Sequence, residues 1–197
     1  MCQIVEAMSD TDLLGVIVGC RTAERLLQDS GGSLSKLFNE PMPGYSAQPK
    51  VKTKLQVAKE IVRRSLIEAM RHRDVLSSPA SVRDYLRMTL AGRDYEVFMV
   101  LFLDAQHRVL SPEEMFRGTL TQTSVYPREV VKRSLANNAA AVIFAHNHPS
   151  GVAEPSRADE LLTQSLKQAL ALVDVRVLDH FVVAGNGVMS FAERGLL

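Results

Sequence analysis

Three short apolar runs in the second half of the chain constrain its fold more than any other feature. They span Glu96–Asp104, Ala140–His146 and Val175–Ala184. Each is too compact for a helix, but each has a suitable length for a buried strand. Residues 126–138 and 155–173, which lie between these runs, carry apolar side chains at helical spacing. This alternation predicts an α/β domain with a mixed β-sheet flanked by helices.

The first 75 residues predict helices only. Ser9 stands before two aspartates and a leucine pair, which is typical of a helix N-cap. Residues 50–73 have apolar side chains at helical spacing together with eight basic and two acidic ones, a local net charge of +6. They predict a long amphipathic helix with a basic outer face. We therefore expect a small all-helical subdomain over residues 1–75 and an α/β domain over residues 76–197.

The composition excludes several classes of protein. With 46% hydrophobic and 23% charged residues, the chain is neither disordered nor collagen-like. Its longest apolar run, residues 139–145, is far shorter than the ~20 residues of a membrane helix. No basic leader is found at the N-terminus, and Cys2 and Cys20 form no disulfide framework, so we expect a cytoplasmic protein without a membrane partner. The net charge of +1 gives no indication of nucleic acid binding.

Two of the five histidines stand close together, at the end of a predicted strand. Residues i and i+2 of a strand point to the same side, so His146 and His148 can converge on one ion, while Asn147 points away. Ten residues then lead to Asp159, enough for a tight loop and the start of a helix. Two imidazoles, one carboxylate and an open position form a catalytic zinc site, which predicts one zinc ion per chain. Such an ion lowers the pKa of its water ligand toward ~7.

A hydrolytic zinc site also needs a proton carrier that is not a ligand. Glu96 is our candidate, because it begins an apolar strand at the edge of the predicted sheet. Ser156 is a candidate donor to the oxyanion of a tetrahedral intermediate.

Each of these residues also has an explanation that involves no chemistry. The pair of His146 and His148 can be an accident of a strand end. Ser156 followed by Asp159 fits a helix cap. Glu96 alone fits an exposed acid at a strand start. Only the order in which they occur together favours a catalytic site.

That order resembles the JAMM motif of JAB/MPN metalloproteases: Glu96, then His146-x-His148-Pro149, six residues, and Ser156-x-x-Asp159. The resemblance extends to the RadC-like family over residues 78–197. It includes the segments Arg93–Phe98, Leu101–Asp104, Phe116–Leu120, Ser124–Glu129, Leu178–Phe181 and Ser190–Leu197.

Membership of that family would imply a JAB fold with zinc held by His146, His148 and Asp159. It would make Glu96 the general acid/base of a metallopeptidase or isopeptidase acting on a peptide or isopeptide substrate, with Ser156 at the oxyanion. Asp179 and His180, in the third apolar run, are further candidates. His180 is either a zinc ligand or, as we expect, a structural residue that orients a ligand or a loop.

The N-terminal part departs from the family pattern, which generally includes a helix-hairpin-helix region for phosphate contact. The equivalent hairpin here, Gly44–Ser46, lacks its second glycine. The alternative function is a DNA-associated accessory protein in repair or mobile-element biology, with the JAB domain as a scaffold. The candidates for nonspecific DNA contact are Lys50, Lys52, Lys54, Arg63 and Arg64.

Overall fold

The structure is a computed structural model that describes residues 5–39, 49–118 and 124–197. The predicted hairpin at Gly44–Ser46 lies outside these residues. The chain forms two compact units, residues 1–64 and residues 65–197, which we describe separately. No helix in the described part of the chain is long and apolar enough to cross a membrane.

The N-terminal unit is helical. Its helices are α1 (Asp10–Val18), α2 (Cys20–Asp29), α3 (Leu34–Asn39) and the first part of α4 (Pro49–His72). The predicted cap at Ser9 is confirmed, because its hydroxyl accepts a hydrogen bond from the Asp12 amide and the Asp12 carboxylate accepts one from the Ser9 amide. The buried core of the unit consists of Leu14, Ala23, Leu26, Leu27, Leu37 and Leu55.

The second unit contains the sheet and the rest of α4. Its elements are a short 3-10 helix (Val75–Ser77), α5 (Pro79–Leu90), β1 (Val97–Leu103), β2 (Val109–Arg117), α6 (Pro127–Ala136), β3 (Ala141–Asn147), α7 (Arg157–Ala171), β4 (Arg176–Ala184) and β5 (Gly187–Ser190).

The five strands form one mixed sheet in the order β2-β1-β3-β4-β5. Only the β3–β4 pair is parallel, and the other three pairs are antiparallel. The predicted α/β class with a mixed sheet is confirmed. The three apolar runs became β1, β3 and β4, the central strands of the sheet. The pair Asn186-Gly187 predicts a hairpin turn into residues 188–190, which belong to the edge strand β5. Strand β2, at the other edge of the sheet, is the one that the sequence did not predict.

Both faces of the sheet are covered, which explains why β1 is apolar throughout. Val97, Met99, Leu101 and Leu103 belong to one buried cluster, with residues of α4 and α5. Phe98, Val100 and Phe102 belong to the other, with Leu166 and Leu170 of α7. Strand β3 alternates in the same way, so Phe144 and the following His146 share the face that α7 covers.

Candidate metal centre

His146, His148 and Asp159 converge at the end of β3. His146 Nε2 lies 2.9 Å from His148 Nε2 and 3.4 Å from Asp159 Oδ1. His148 Nε2 lies 3.6 Å from the other carboxylate oxygen, Asp159 Oδ2. These three residues form a group whose potential ligand atoms all lie within 4.8 Å of one another. Strand alternation supplies the two histidines, and the first turn of α7 returns the carboxylate to them. The sequence predicted this convergence.

A capping box at the start of α7 holds Asp159 in place. The amide and hydroxyl of Ser156 donate to Asp159 Oδ2 at 2.7 and 2.6 Å, and the Asp159 amide donates to the Ser156 hydroxyl oxygen at 3.2 Å. The helix-cap interpretation of this pair is therefore confirmed, and the cap also positions the carboxylate. The two interpretations are compatible, because Asp159 Oδ1 remains directed at His146. The role of Ser156 at an oxyanion stays a prediction.

A chain of hydrogen bonds determines which ring nitrogen of His146 carries a proton. Thr163 Oγ1 donates its one hydrogen to the Asp159 carbonyl oxygen at 2.6 Å, so it must accept from His180 Nδ1 at 2.7 Å. His180 Nε2 then carries only a lone pair and accepts from His146 Nδ1 at 2.8 Å. Consequently His146 presents an unprotonated Nε2 to His148 and Asp159.

His148 reaches the same tautomer by a different contact. Its Nδ1 donates to the Val152 carbonyl oxygen at 2.9 Å, which leaves the Nε2 lone pair facing that of His146. Two lone pairs 2.9 Å apart require a proton or a cation between them. The Asp159 carboxylate, which lies 3.6 Å from His148 Nε2, raises the pKa of His148 against the effect of burial.

The geometry fits zinc. Bonds of about 2.0–2.1 Å in a tetrahedral zinc site separate the ligand atoms by about 3.3 Å. The two Nε2 atoms are 2.9 Å apart, Asp159 Oδ1 is 3.4 Å from His146 Nε2, and Asp159 Oδ2 is 3.6 Å from His148 Nε2, so each separation is close to that value. Burial alone would raise the pKa of Asp159, but the two neighbouring histidine rings and the Ser156 hydroxyl hold it well below its usual range. Asp159 is therefore ionised at neutral pH, as a metal ligand must be.

His180 is a support for His146 in this structure, since its two ring nitrogens bind Thr163 and His146. It is completely buried, enclosed by the rings of Phe98, Phe144 and Phe191, with Phe191 stacked on it at 4.8 Å between ring centroids. Burial lowers its pKa well below the ordinary value, so the ring stays neutral and can accept from His146.

Asp179 holds the segment that carries Phe191. It accepts hydrogen bonds from the His180 amide at 2.7 Å, the Ser190 hydroxyl at 2.6 Å and the Ala192 amide at 3.0 Å. Burial raises the pKa of this carboxyl despite these three donors. Asp179 thus acts on the site indirectly, by fixing the ring that stacks on His180.

Glu96 lies half-buried immediately before β1. The antiparallel pairing of β1 and β3 ends at Phe98 and His146, and extending it by two residues places Glu96 opposite His148. The two side chains then share one face of the sheet. Their proximity is also evident electrostatically, because the charge of Glu96 contributes to the raised pKa of His148.

The predicted basic residues of the N-terminal unit have different surroundings. Lys54 donates to the Ile17 carbonyl oxygen at 2.7 Å, at the end of α1. Arg63 and Arg64 both pair with Glu60, at 2.6 and 2.8 Å, and lower the pKa of that carboxyl to about 2. Lys50 and Lys52 are exposed.

The sequence did not reveal two contributors to the site, Thr163 and Phe191. Thr163 lies four residues after Asp159, on the same face of α7, and this spacing was an available signal. Phe191 gave no such signal, because its contact with His180 depends on how the C-terminal segment folds back over β4.

Thr163→Val tests the hydrogen-bond chain. Valine has nearly the same shape but removes both bonds of the hydroxyl, so His180 can place its proton on Nε2, opposite the Nδ1 proton of His146. We expect zinc affinity to fall by about 10- to 100-fold, measured by competition with a chromogenic chelator.

Thr89→Val is the matched control. The Thr89 hydroxyl also donates to the carbonyl oxygen four residues earlier, that of Tyr85, at 2.8 Å in α5. This variant should bind zinc as the unsubstituted protein does. Equal affinities for the two valine variants would show that the hydroxyl of Thr163 does not determine the state of His146.

The chain is similar in sequence to one family model and to several proteins that share one family name. A family model described as RadC-like JAB domain matches residues 76–196. A UPF0758 protein of Nitrosomonas eutropha is 56% identical over 201 residues, covering 96% of this chain and 90% of that protein. The UPF0758 proteins of Leptothrix cholodnii, at 55% identity, and Dechloromonas aromatica, at 56%, each match 97% of this chain, and the match covers 91% and 90% of their own lengths. The names of these relatives state no activity.

Proposed function

The chain belongs to the RadC-like JAB domain family, as the motif resemblance indicated, and on that premise we propose that it is a zinc-dependent hydrolase of peptide or isopeptide bonds. The observation that carries the proposal is the pair of Nε2 lone pairs, set by two independent hydrogen bonds, that face each other beside an ionised carboxylate. A merely structural cluster does not require both imidazoles in this tautomer.

His146, His148 and Asp159 would hold the ion. When bound, zinc supplies a Lewis acid that polarises a carbonyl group and lowers the pKa of a water ligand toward about 7. The supporting contacts from His180, Val152 and Ser156 keep the three ligands oriented toward a common point.

Glu96 is the proton carrier in this proposal. It accepts a proton as the water oxygen forms a bond to the amide carbon, and it returns that proton to the leaving nitrogen as the C–N bond breaks. The products are a carboxylic acid and an amine, which exchange a proton to give a carboxylate and an ammonium group, so the atoms and charges balance without a further reactant. The half-buried position of Glu96 just before β1, where its charge contributes to the raised pKa of His148, supports this role.

Ser156 would donate a hydrogen bond to the oxyanion. Its hydroxyl has one hydrogen, which is donated to Asp159 Oδ2 at 2.6 Å in the structure. Contact with the oxyanion therefore requires the hydroxyl to rotate away from Asp159. The amide of Ser156, which also donates to Oδ2, would then keep the carboxylate in place.

The experiment uses protein loaded with one equivalent of zinc and a peptide library prepared from a whole proteome. Cleavage creates new amino termini, which are labelled and identified by mass spectrometry. A second pool of lysine-branched peptides reports isopeptide cleavage. We expect new termini with the zinc-loaded protein, their loss after chelation and their return when zinc is restored. The same set of termini with and without zinc would contradict the proposal.

A further inference from the structure

Asn147 stands between the two histidines, but its side chain is turned to the opposite face of β3. It is 2% exposed and lies next to the start of β1. Its Oδ1 accepts a hydrogen bond from the Val97 amide at 2.8 Å, and its Nδ2 donates to the Tyr95 carbonyl oxygen at 3.0 Å. These two backbone groups flank Glu96 on either side in the chain.

The backbone pairing of β1 with β3 runs from Leu103 and Ala141 only as far as Phe98 and His146. Beyond His146 the backbone of this strand end still pairs with β4 on its other side, where the His148 amide donates to the Val183 carbonyl oxygen at 2.8 Å. The Asn147 amide group therefore connects this end of β3 to β1. A side-chain amide suits the task because it offers a donor and an acceptor together.

We propose that Asn147 is a positioning residue for Glu96. It fixes the backbone on both sides of that residue, while the Glu96 carbonyl oxygen accepts from the Gly118 amide at 2.9 Å on the side of β2. The residue between the two ligands thus connects the metal-binding strand end to the proton carrier. This inference rests on the proposed function, in which Glu96 exchanges protons next to the metal.

A purely structural role for Asn147 predicts a different result from a positioning role. Loss of a buried amide destabilises the fold in either case, because it leaves the Val97 amide and the Tyr95 carbonyl group without their partner. Only a positioning role predicts that the acid–base behaviour of the metal site changes as it does when Glu96 itself is neutralised.

The test uses cobalt(II) as the probe, because its visible absorption reports the surroundings of the ion without any substrate. Spectra are recorded across the pH range for the unsubstituted protein, Glu96→Gln, Asn147→Ala and Asn147→Ser. The serine variant keeps a hydroxyl for one of the two backbone groups and serves if the alanine variant does not fold. Asn137→Ala is the matched control, since the Asn137 amide bonds Glu113 and the Arg133 carbonyl oxygen at the end of α6.

We expect Glu96→Gln to shift the midpoint of the spectral pH transition, and an Asn147 variant to shift it in the same direction by at least half as much. Cobalt affinity should fall by less than about tenfold, the lower end of what disturbed ligand supports cost. Asn137→Ala should leave the midpoint unchanged.

Two results would overturn the inference while leaving the proposed function intact. One is an Asn147 variant with the unsubstituted midpoint when Glu96→Gln has shifted it. The other is a large loss of cobalt affinity in the Asn147 variants, which would mean that Asn147 supports the ligands. Failure of the unsubstituted protein to bind cobalt, or an unchanged midpoint in Glu96→Gln, would contradict the proposed function and this inference together.

Discussion

The His146→Ala/His148→Ala variant should lose the zinc that the unsubstituted protein retains. The substitution removes both nitrogen ligands and leaves Asp159 alone, so the loss of affinity should exceed the ~10- to 100-fold typical of changes to supporting residues. Metal analysis by mass spectrometry after exhaustive dialysis measures this directly. We expect one zinc per unsubstituted chain and a negligible amount in the variant.

Thermal unfolding provides an independent measurement of the same effect. A ligand that binds only the folded state at 100 times its dissociation constant stabilises it by about 2.7 kcal/mol. The melting temperature of the unsubstituted protein should therefore rise with added zinc, and that of the double variant should not. His72→Ala, which removes an exposed histidine of α4, is the control and should respond as the unsubstituted protein does. Zinc bound equally by the double variant would exclude this centre.

The sequence predicted the central strands β1, β3 and β4, and it missed the edge strand β2 for one physical reason. Strands β1 and β3 are buried at every position, so their residues form continuous apolar runs that are easy to recognise. In β2 only Val109 is buried, and Pro112 and two glutamates interrupt the pattern. An edge strand tolerates such residues because one side of it needs no partner strand. Its sequence therefore resembles a loop.

The site could be predicted as far as local geometry determines it. The strand period brings His146 and His148 to one side, and a helix start returns Asp159 after a short loop. The supports of these ligands depend instead on packing between distant elements. His180 lies on β4 opposite Phe144, and the register of that parallel pair shifts between Val142 and Ile143, so no local rule relates it to His146.

The pair of Ser156 and Asp159 shows a different limit of sequence reasoning. A helix cap and a metal-binding carboxylate were competing explanations, and the structure satisfies both with the same atoms. The amide and the hydroxyl of Ser156, immediately before α7, fix a carboxylate that the two histidines also approach. A helix cap and a metal ligand thus require the same two residues at the same spacing. For that reason the spacing alone could not distinguish the two explanations.

Glu96→Gln is expected to retain one zinc per chain and to lose about 10²- to 10⁴-fold in the cleavage rate of any peptide identified as a substrate. Glutamine keeps the size of the side chain and can form hydrogen bonds, but it cannot accept a proton near neutral pH. Glu96 lies outside the group of three ligands, so the metal content should not change. Rates are measured on one synthetic peptide with matched zinc loading.

The combination of retained metal and lost turnover is what identifies a proton carrier. A ligand variant loses both, and a substitution elsewhere on the surface loses neither. Glu68→Gln makes the same chemical change at an exposed position of α4 and should keep both the zinc and the rate. If Glu96→Gln cleaves the peptide as fast as the unsubstituted protein, the proton must travel by another route, and the charge of Glu96 would then act only on the pKa of His148.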